Sequence, residues 1–407
     1  MSRTSELIGL EDAYGAQNYH PLDVVIDRAE GAFVYDVDGK RYLDALAAYS
    51  AVNQGHAHPR ILETLRTQAH RVTLTSRAFR NDQLGPFCRE LAELCGLDMV
   101  LPMNTGAEAV ETAIKAARRW GYRARGIPHD AAEIIVFDDN FHGRTTTIVG
   151  FSSDAAYKTD FGPFTPGFIR VPFGDLVALE RAITPNTCAV LIEPIQAEAG
   201  VIIPPDGFLA GAAALCRDRR VLFVADEIQT GLGRTGAMFA CDHEGVRPDL
   251  LILGKALSGG FYPVSAVVGR REIVELFEPG SHGSTYGGNP LACAVARTAL
   301  RVLVDEQMVA RARVLGDVFA SRLRAIESPL IAEVRARGLL VGVELRVPAR
   351  PFCEALAERG VLCKDTHDET IRLTPPLCVE EADLLWLAEQ VEAVLATGRT
   401  AQRVHAA

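Results

Sequence analysis

Between residues 24 and 44 the chain reads VVIDRAEGAFVYDVDGKRYLD, with apolar and polar side chains alternating about Asp38-Gly39. A period of two broken by an Asp-Gly turn predicts an antiparallel hairpin. From about residue 100 the pattern changes to short apolar runs separated by helical stretches. EIIVF at 133, CAVLIEPI at 188, VLFVADEI at 221, DLLILG at 249 and PVSAVVG at 263 are such runs. Their rhythm predicts an α/β protein whose mostly parallel sheet is covered by helices. Asn289-Pro290 supplies an N-cap followed by a first-turn proline, so a helix is predicted through ACAVARTALRVLVDE. Beyond it, LLVGVEL and TIRLT are short strands among helices, which suits a second, smaller α+β domain.

Polar residues at the ends of the apolar runs carry the candidate chemistry. Glu193 follows AVLI, Asp226 follows VLFVA and Lys255 follows LLILG. The intervals are close to the ~30 residues of a βαβ unit, so parallel strands would bring all three groups to one carboxyl edge, where open α/β sheets bind ligands. A lysine at a strand end commonly reaches water with its head group. A lysine beside carboxylates in a dry site is instead a nucleophile whose pKa burial lowers. Upstream, Thr105-Gly106-Ala107-Glu108 reads as a capping box opening an amphipathic helix with Val110, Ile114 and Ala117 on one face. Gly106 leaves the first-turn N–H groups open to an anion, which the helix dipole also favours. An anion site, an acid at Asp226 and an amine at Lys255 match the phosphate, ring nitrogen and aldehyde of pyridoxal phosphate.

Composition narrows the partners. The chain of 407 residues has formal net charge −10, with 48% hydrophobic and 23% charged residues. An acidic balance argues against nucleic acid or an anionic membrane as partner and leaves small-molecule substrates. The start, MSRTSELIGLEDAYG, has no apolar signal core, and no apolar run approaches the ~20 residues of a membrane span, so a cytoplasmic protein is expected. The nine cysteines form no CxxC pair, which fits reduced thiols and signals neither a zinc site nor a disulfide framework.

Other motifs are weaker. GLGRTG at 231–236 matches GxGxxG, but DEIQT separates it from the preceding strand, and a dinucleotide fingerprint begins at the strand end. His56 and His58 have no acidic third ligand nearby, so no metal is expected. In NFHGR, His142 is a base or a neighbour of Phe141, whose ring is suited to stacking on a flat cofactor. Arg144 is a candidate carboxylate clamp.

With these residues assembled, the chain resembles the class III pyridoxal-phosphate aminotransferases. The likeness runs through YGAQNYHPL, AAYSAVNQGH, LTSRAF, VLPMNTGAEAVETA, NFHGRTTT, EPIQAEAGVI, ADEIQTGLGRTG, RPDLLILGKALSGG, HGSTYGGNPLACAVA and IRLTPPL. The combination of Tyr19, Tyr49 and Glu198 points to the branch acting on ornithine. The resemblance implies a fold-type-I architecture. Residues 46–300 would form a large cofactor-binding domain with a seven-stranded sheet, and residues 1–45 and 301–407 would form a small α+β domain.

The resemblance also implies roles. Lys255 carries the cofactor and moves the substrate proton, Asp226 pairs with the ring nitrogen, Gln229 reaches the ring hydroxyl, and Phe141 and Ile228 sandwich the ring. Gly106 and Ala107 bind the phosphate, with Thr285 reaching it from the neighbouring subunit of a homodimer. Tyr19 and Arg144 hold the ornithine α-carboxylate and Tyr49 shapes the pocket. Arg372 takes the α-carboxylate of glutamate or 2-oxoglutarate and is masked by Glu198 when ornithine binds. The implied reaction is ping-pong transfer of the δ-amino group to 2-oxoglutarate. Relatives acting on 4-aminobutyrate or N-acetylornithine share every cofactor residue. An aminomutase and a non-catalytic interaction protein of the same fold are further alternatives. Ala197, Arg80 and Asp365 depart from the family pattern, which has glycine, an aromatic residue and proline there.

Overall fold

The computed structural model describes residues 2–405, with side chains as far as residue 397. Residues 1, 406 and 407, at the extremes of the expected small domain, lie outside the described residues. The N-terminal alternation folds into β1 (Ile26–Glu30), β2 (Phe33–Asp36) and β3 (Arg41–Asp44), paired antiparallel in sequence. The predicted turn between β2 and β3 forms as expected. Asp36 Oδ1 accepts the N–H groups of Asp38 (3.0 Å) and Lys40 (2.8 Å), and Gly39 supplies a φ of 87°.

The central sheet contains β4 (Met99–Met103), β5 (Glu133–Phe137), β6 (Phe168–Val171), β7 (Thr187–Ile192), β8 (Leu222–Asp226), β9 (Leu250–Leu253) and β10 (Ser265–Gly269). Its seven strands lie in the order β4-β10-β9-β8-β7-β5-β6. Pairs from β6 across to β9 are parallel, whereas β10 runs antiparallel to both β9 and β4. The sheet is therefore mostly parallel, as the apolar runs predict. PVSAVVG is the exception, because the path from Lys255 to Ser265 is too short for a crossover and returns the chain in the opposite sense. Every residue of β7, β8, β9 and β10 is buried, which explains why these segments read as continuous apolar runs.

A third sheet has the order β11 (Ile331–Arg337), β12 (Leu340–Leu345), β15 (Thr370–Leu373), β14 (Lys364–Thr366). The two-residue β13 (Val361–Leu362) leaves this region and pairs in parallel with β3, so the first sheet contains both early and late parts of the chain. The predicted helix after Asn289 spans Pro290–Asp305, with Asn289 Oδ1 accepting the Ala292 N–H at 2.8 Å. Among the described residues no helix is long and apolar enough to cross a membrane.

GLGRTG serves the fold. Arg234 at its centre is fully buried and donates to the carbonyls of Leu339 (2.9 Å) and Pro375 (2.7 Å) and to Asn53 Oδ1 (2.6 Å). It joins the central region to the C-terminal sheet and to the loop after Tyr49. Burial lowers its pKa to about 9.

Candidate active site

Because β7, β8 and β9 are adjacent and parallel, their carboxyl ends bring Glu193, Asp226 and Lys255 together. Asp226 closes β8, with its side chain only 4% exposed. Oδ2 lies 2.7 Å from Nδ1 of the fully buried His142, and Oδ1 accepts the Ile228 N–H at 3.0 Å. A carboxylate has about four acceptor positions, so Asp226 retains capacity for a cationic donor. His142 Nε2, on the far side of that ring, is buried without a partner. His142 is therefore a support for Asp226.

Glu193 has a different state. Burial first, and then the charge of Asp226, pushes its pKa well above the usual carboxylate range. Its Oε2 accepts the Phe141 N–H at 2.9 Å and so fixes the NFHGR loop over the strand ends. Lys255 follows Gly254 with a left-handed φ of 45°. The residue keeps some accessible surface, but its ammonium is withdrawn from bulk water, and this desolvation lowers its pKa to about 8. Glu198, Asp226 and Glu193 oppose that fall and Arg372 adds to it.

The predicted helix start also forms. The helix Gly106–Ala124 begins with the predicted capping box, in which Thr105 Oγ1 accepts the Glu108 N–H and Glu108 Oε2 accepts the Thr105 N–H. The N–H groups of Gly106 and Ala107, in the first turn, have no intrahelical acceptor. A Cβ added at Gly106 would lie 3.0 Å from Ile228 Cδ1, so glycine keeps Ile228 in place. A cavity of about 320 Å³, lined by Thr105, Gly106, Lys255, Ser258 and Tyr262, opens between this helix start and the lysine. A larger cavity of about 800 Å³ lies by Trp120, Arg217 and Asp249 and contains none of these groups. Chemistry, not size, locates the site.

Beside Lys255 lies a second charged cluster. Arg372, fully buried in β15, donates from Nη1 to Glu198 Oε1 at 2.6 Å. Gln229 bridges the pair, donating to Glu198 Oε1 at 3.2 Å and accepting from Arg372 at 3.4 Å. Burial raises the Glu198 pKa, but Arg372 and Lys255 outweigh it and hold the carboxyl at about 2. Arg372 Nε and Nη2 are buried without partners, which leaves part of the guanidinium for another carboxylate. The Tyr49 ring lies 5.0 Å from the guanidinium carbon.

Tyr49 belongs to the turn Ala47–Ser50, whose residues have φ values of 48°, 46°, 60° and 68°. Asp44 Oδ1 holds it from one side by accepting from Leu46 (2.9 Å) and Ala47 (2.8 Å), and Thr374 donates to the Leu46 carbonyl from the other.

The remaining candidates are more open. Arg144 is exposed and stacks its guanidinium 3.7 Å from the Tyr157 ring centre and 5.4 Å from that of Phe141. Tyr19 is 73% exposed. Thr285 is also exposed, on a loop that Asn104 ties down through Ser284 Oγ at 2.8 Å. The departure Ala197 is fully buried against Ile195, Val201 and Leu340, so its methyl is accommodated.

Comparison with known proteins gives the relationship. Residues 14–395 match the family described as aminotransferase class-III. The chain belongs to the class-III aminotransferase family. An ornithine aminotransferase of Bacillus subtilis (strain 168) is 58% identical over 395 residues, covering 97% of this chain and 98% of the relative. A solved structure of the ornithine aminotransferase from Toxoplasma gondii, described with partial occupancy of PLP at its active site, superposes with a TM-score of 0.97. That protein is 44% identical, with 98% of this chain and 96% of the other covered. An acetylornithine aminotransferase from Elizabethkingia anophelis gives a TM-score of 0.89 at 48% identity, covering 98% and 100% of the two chains.

The candidate site also contains groups to which sequence reasoning assigns no role. Glu193 was legible as a strand-end acid, but its hold on Phe141 was not. Tyr157 beneath Arg144 and Thr366, whose hydroxyl donates to the Glu198 carbonyl, carried no local signal.

Proposed function

We propose that this aminotransferase moves the δ-amino group of L-ornithine to 2-oxoglutarate, giving glutamate 5-semialdehyde and glutamate, with pyridoxal 5'-phosphate as cofactor. The observation that carries this reading is the pair of buried Arg372 and half-buried Glu198 beneath Tyr49 and beside Lys255. Ornithine must present its δ-amine and hide its α-amine, whereas glutamate must present its α-amine with a carboxylate that an arginine holds. An arginine already neutralised by a movable glutamate serves both demands at one site.

The cofactor residues fit this group. Free first-turn N–H groups at Gly106 and Ala107 suit a phosphate, and Asp226 has spare acceptor capacity for a protonated ring nitrogen. Phe141 and Ile228 would cover the two ring faces, Gln229 would reach the ring hydroxyl, and Thr285 of a second copy would complete the phosphate site. When bound, the cofactor supplies an electron sink and a carrier for the amino group.

The chain's residues do the rest. Asp226, held by His142, keeps a proton on the ring nitrogen. The Lys255 amine, with its pKa lowered to about 8, is placed to take the proton from the substrate's Cδ and would deliver it to the cofactor carbon that carried the aldehyde. Tyr19 and Arg144 orient the ornithine carboxylate. Glu198 then swings from Arg372 to admit 2-oxoglutarate in the second half of a ping-pong cycle. A cytoplasmic homodimer completes the reading, supported by the exposed Thr285 loop and by free thiols.

A donor panel with 2-oxoglutarate as acceptor tests it. Ornithine should exceed N-acetylornithine and 4-aminobutyrate in kcat/KM, and the product should be the semialdehyde. A preference for either competitor overturns the substrate assignment.

A further inference from the structure

The segment carrying Tyr19 has little of its own to hold it. Residues 15–21 are exposed, and a cavity of about 390 Å³ lined by Leu22, Tyr42 and Glu354 lies beneath the residues that follow. One side chain from the far end of the sequence reaches it. Arg350, at the start of the helix Arg350–Glu358, donates from Nη1 to the His20 carbonyl (3.0 Å) and from Nη2 to the Pro21 carbonyl (2.9 Å). Its Nε donates to Glu354 at 2.8 Å, which fixes the plane of the fork.

The same guanidinium also lines that cavity and approaches β14. Arg350 Nη1 lies 3.7 Å from Asp365 Oδ1, a buried oxygen without a hydrogen-bond partner. Asp365 sits in β14 opposite Ile371, the neighbour of Arg372. Both Asp365 and Tyr19 are close enough to raise the pKa of Tyr49, although burial is the larger cause. The fork thus joins the two carbonyls behind Tyr19 to the strand that borders Arg372. Proline, which the resemblance places at 365, would offer no charge to orient it.

We propose that Arg350 is a positioning residue for donor recognition, clamping the His20 and Pro21 carbonyls so that Tyr19 stands over the pocket bordered by Tyr49 and Asp365. The inference rests on the reading that Tyr19 meets the carboxylate of the amino donor. Two parallel N–H donors fix orientation as well as distance, and a single ammonium cannot reproduce this.

The test compares ornithine with 1,4-diaminobutane, its analogue without the carboxylate, in the cofactor-loaded enzyme. Arg350→Met should raise KM for ornithine about tenfold with kcat within about twofold, leave diaminobutane unchanged, and add nothing to Tyr19→Ala in the double variant. Amide hydrogen exchange in the peptide 16–24 should quicken, and Arg350→Lys, which keeps the charge, should fall between wild type and Arg350→Met. Equal losses on both donors, additive effects with Tyr19→Ala, or unchanged ornithine KM with unchanged exchange would each overturn the clamp. Should Tyr19→Ala leave ornithine KM unaltered, the role of Tyr19 fails and the clamp with it. A raised KM in Tyr19→Ala beside a normal Arg350→Met removes the clamp alone.

Discussion

Lys255 is the residue whose chemistry is most open to measurement. Its ammonium loses solvation more than it gains from Glu198, Asp226 and Glu193, so the neutral amine becomes abundant as pH rises through about 8. The rate at which cofactor-free protein takes up added pyridoxal phosphate should rise through that pH and level off above it. Glu198→Gln removes a carboxylate that favours the ammonium and leaves the Arg372 charge uncompensated. With that carboxylate gone and the opposing Arg372 charge still in place, the Lys255 pKa falls, so the midpoint should move to lower pH. A midpoint that stays put or rises would show that Glu198 does not act on Lys255. Lysine and aspartate were readable from sequence because each sits at the end of its own apolar run. The supports were not, because His142 is 84 residues from Asp226 and Phe141 is 52 from Glu193. Such pairings exist only once the strands are adjacent.

Among elements, the turn Ala47–Ser50 stands apart. Left-handed backbone at a non-glycine residue costs ~1–2 kcal/mol, and here it persists because Asp44 and Thr374 hold the turn from both sides. Ala48 is exposed, so Ala48→Gly relieves strain without emptying the core. Its lower backbone penalty should exceed the added unfolded-state entropy, stabilising the protein by up to ~1 kcal/mol in calorimetry. A lower melting temperature would show that the turn stores no such strain. AAYS gave no hint of this backbone, since it contains none of the glycine or asparagine that usually marks it. By contrast, the capping box at Thr105 and the Asn289-Pro290 helix start were legible, because caps are local chemistry. The direction of β10 was not, since an apolar run carries no sign of its sense.

At the scale of the whole molecule, Arg234 joins segments centred near residues 53, 234, 339 and 375. Arg234→Met fills similar space but strips donors from buried oxygens, each worth about 1–3 kcal/mol. Loss of at least ~2 kcal/mol is expected in denaturant unfolding, and an unchanged midpoint would remove Arg234 as a structural tie. The pairing of β13 with β3 bears on synthesis as well. A ribosome completes β3 roughly 300 residues before it completes β13, an interval on the order of tens of seconds at ordinary elongation rates. Throughout that time the nascent chain displays an open strand edge beside an unfinished sheet. Synonymous codons that change elongation speed along this stretch should therefore shift the soluble yield of folded protein, even where the sequence of the finished chain is unaltered.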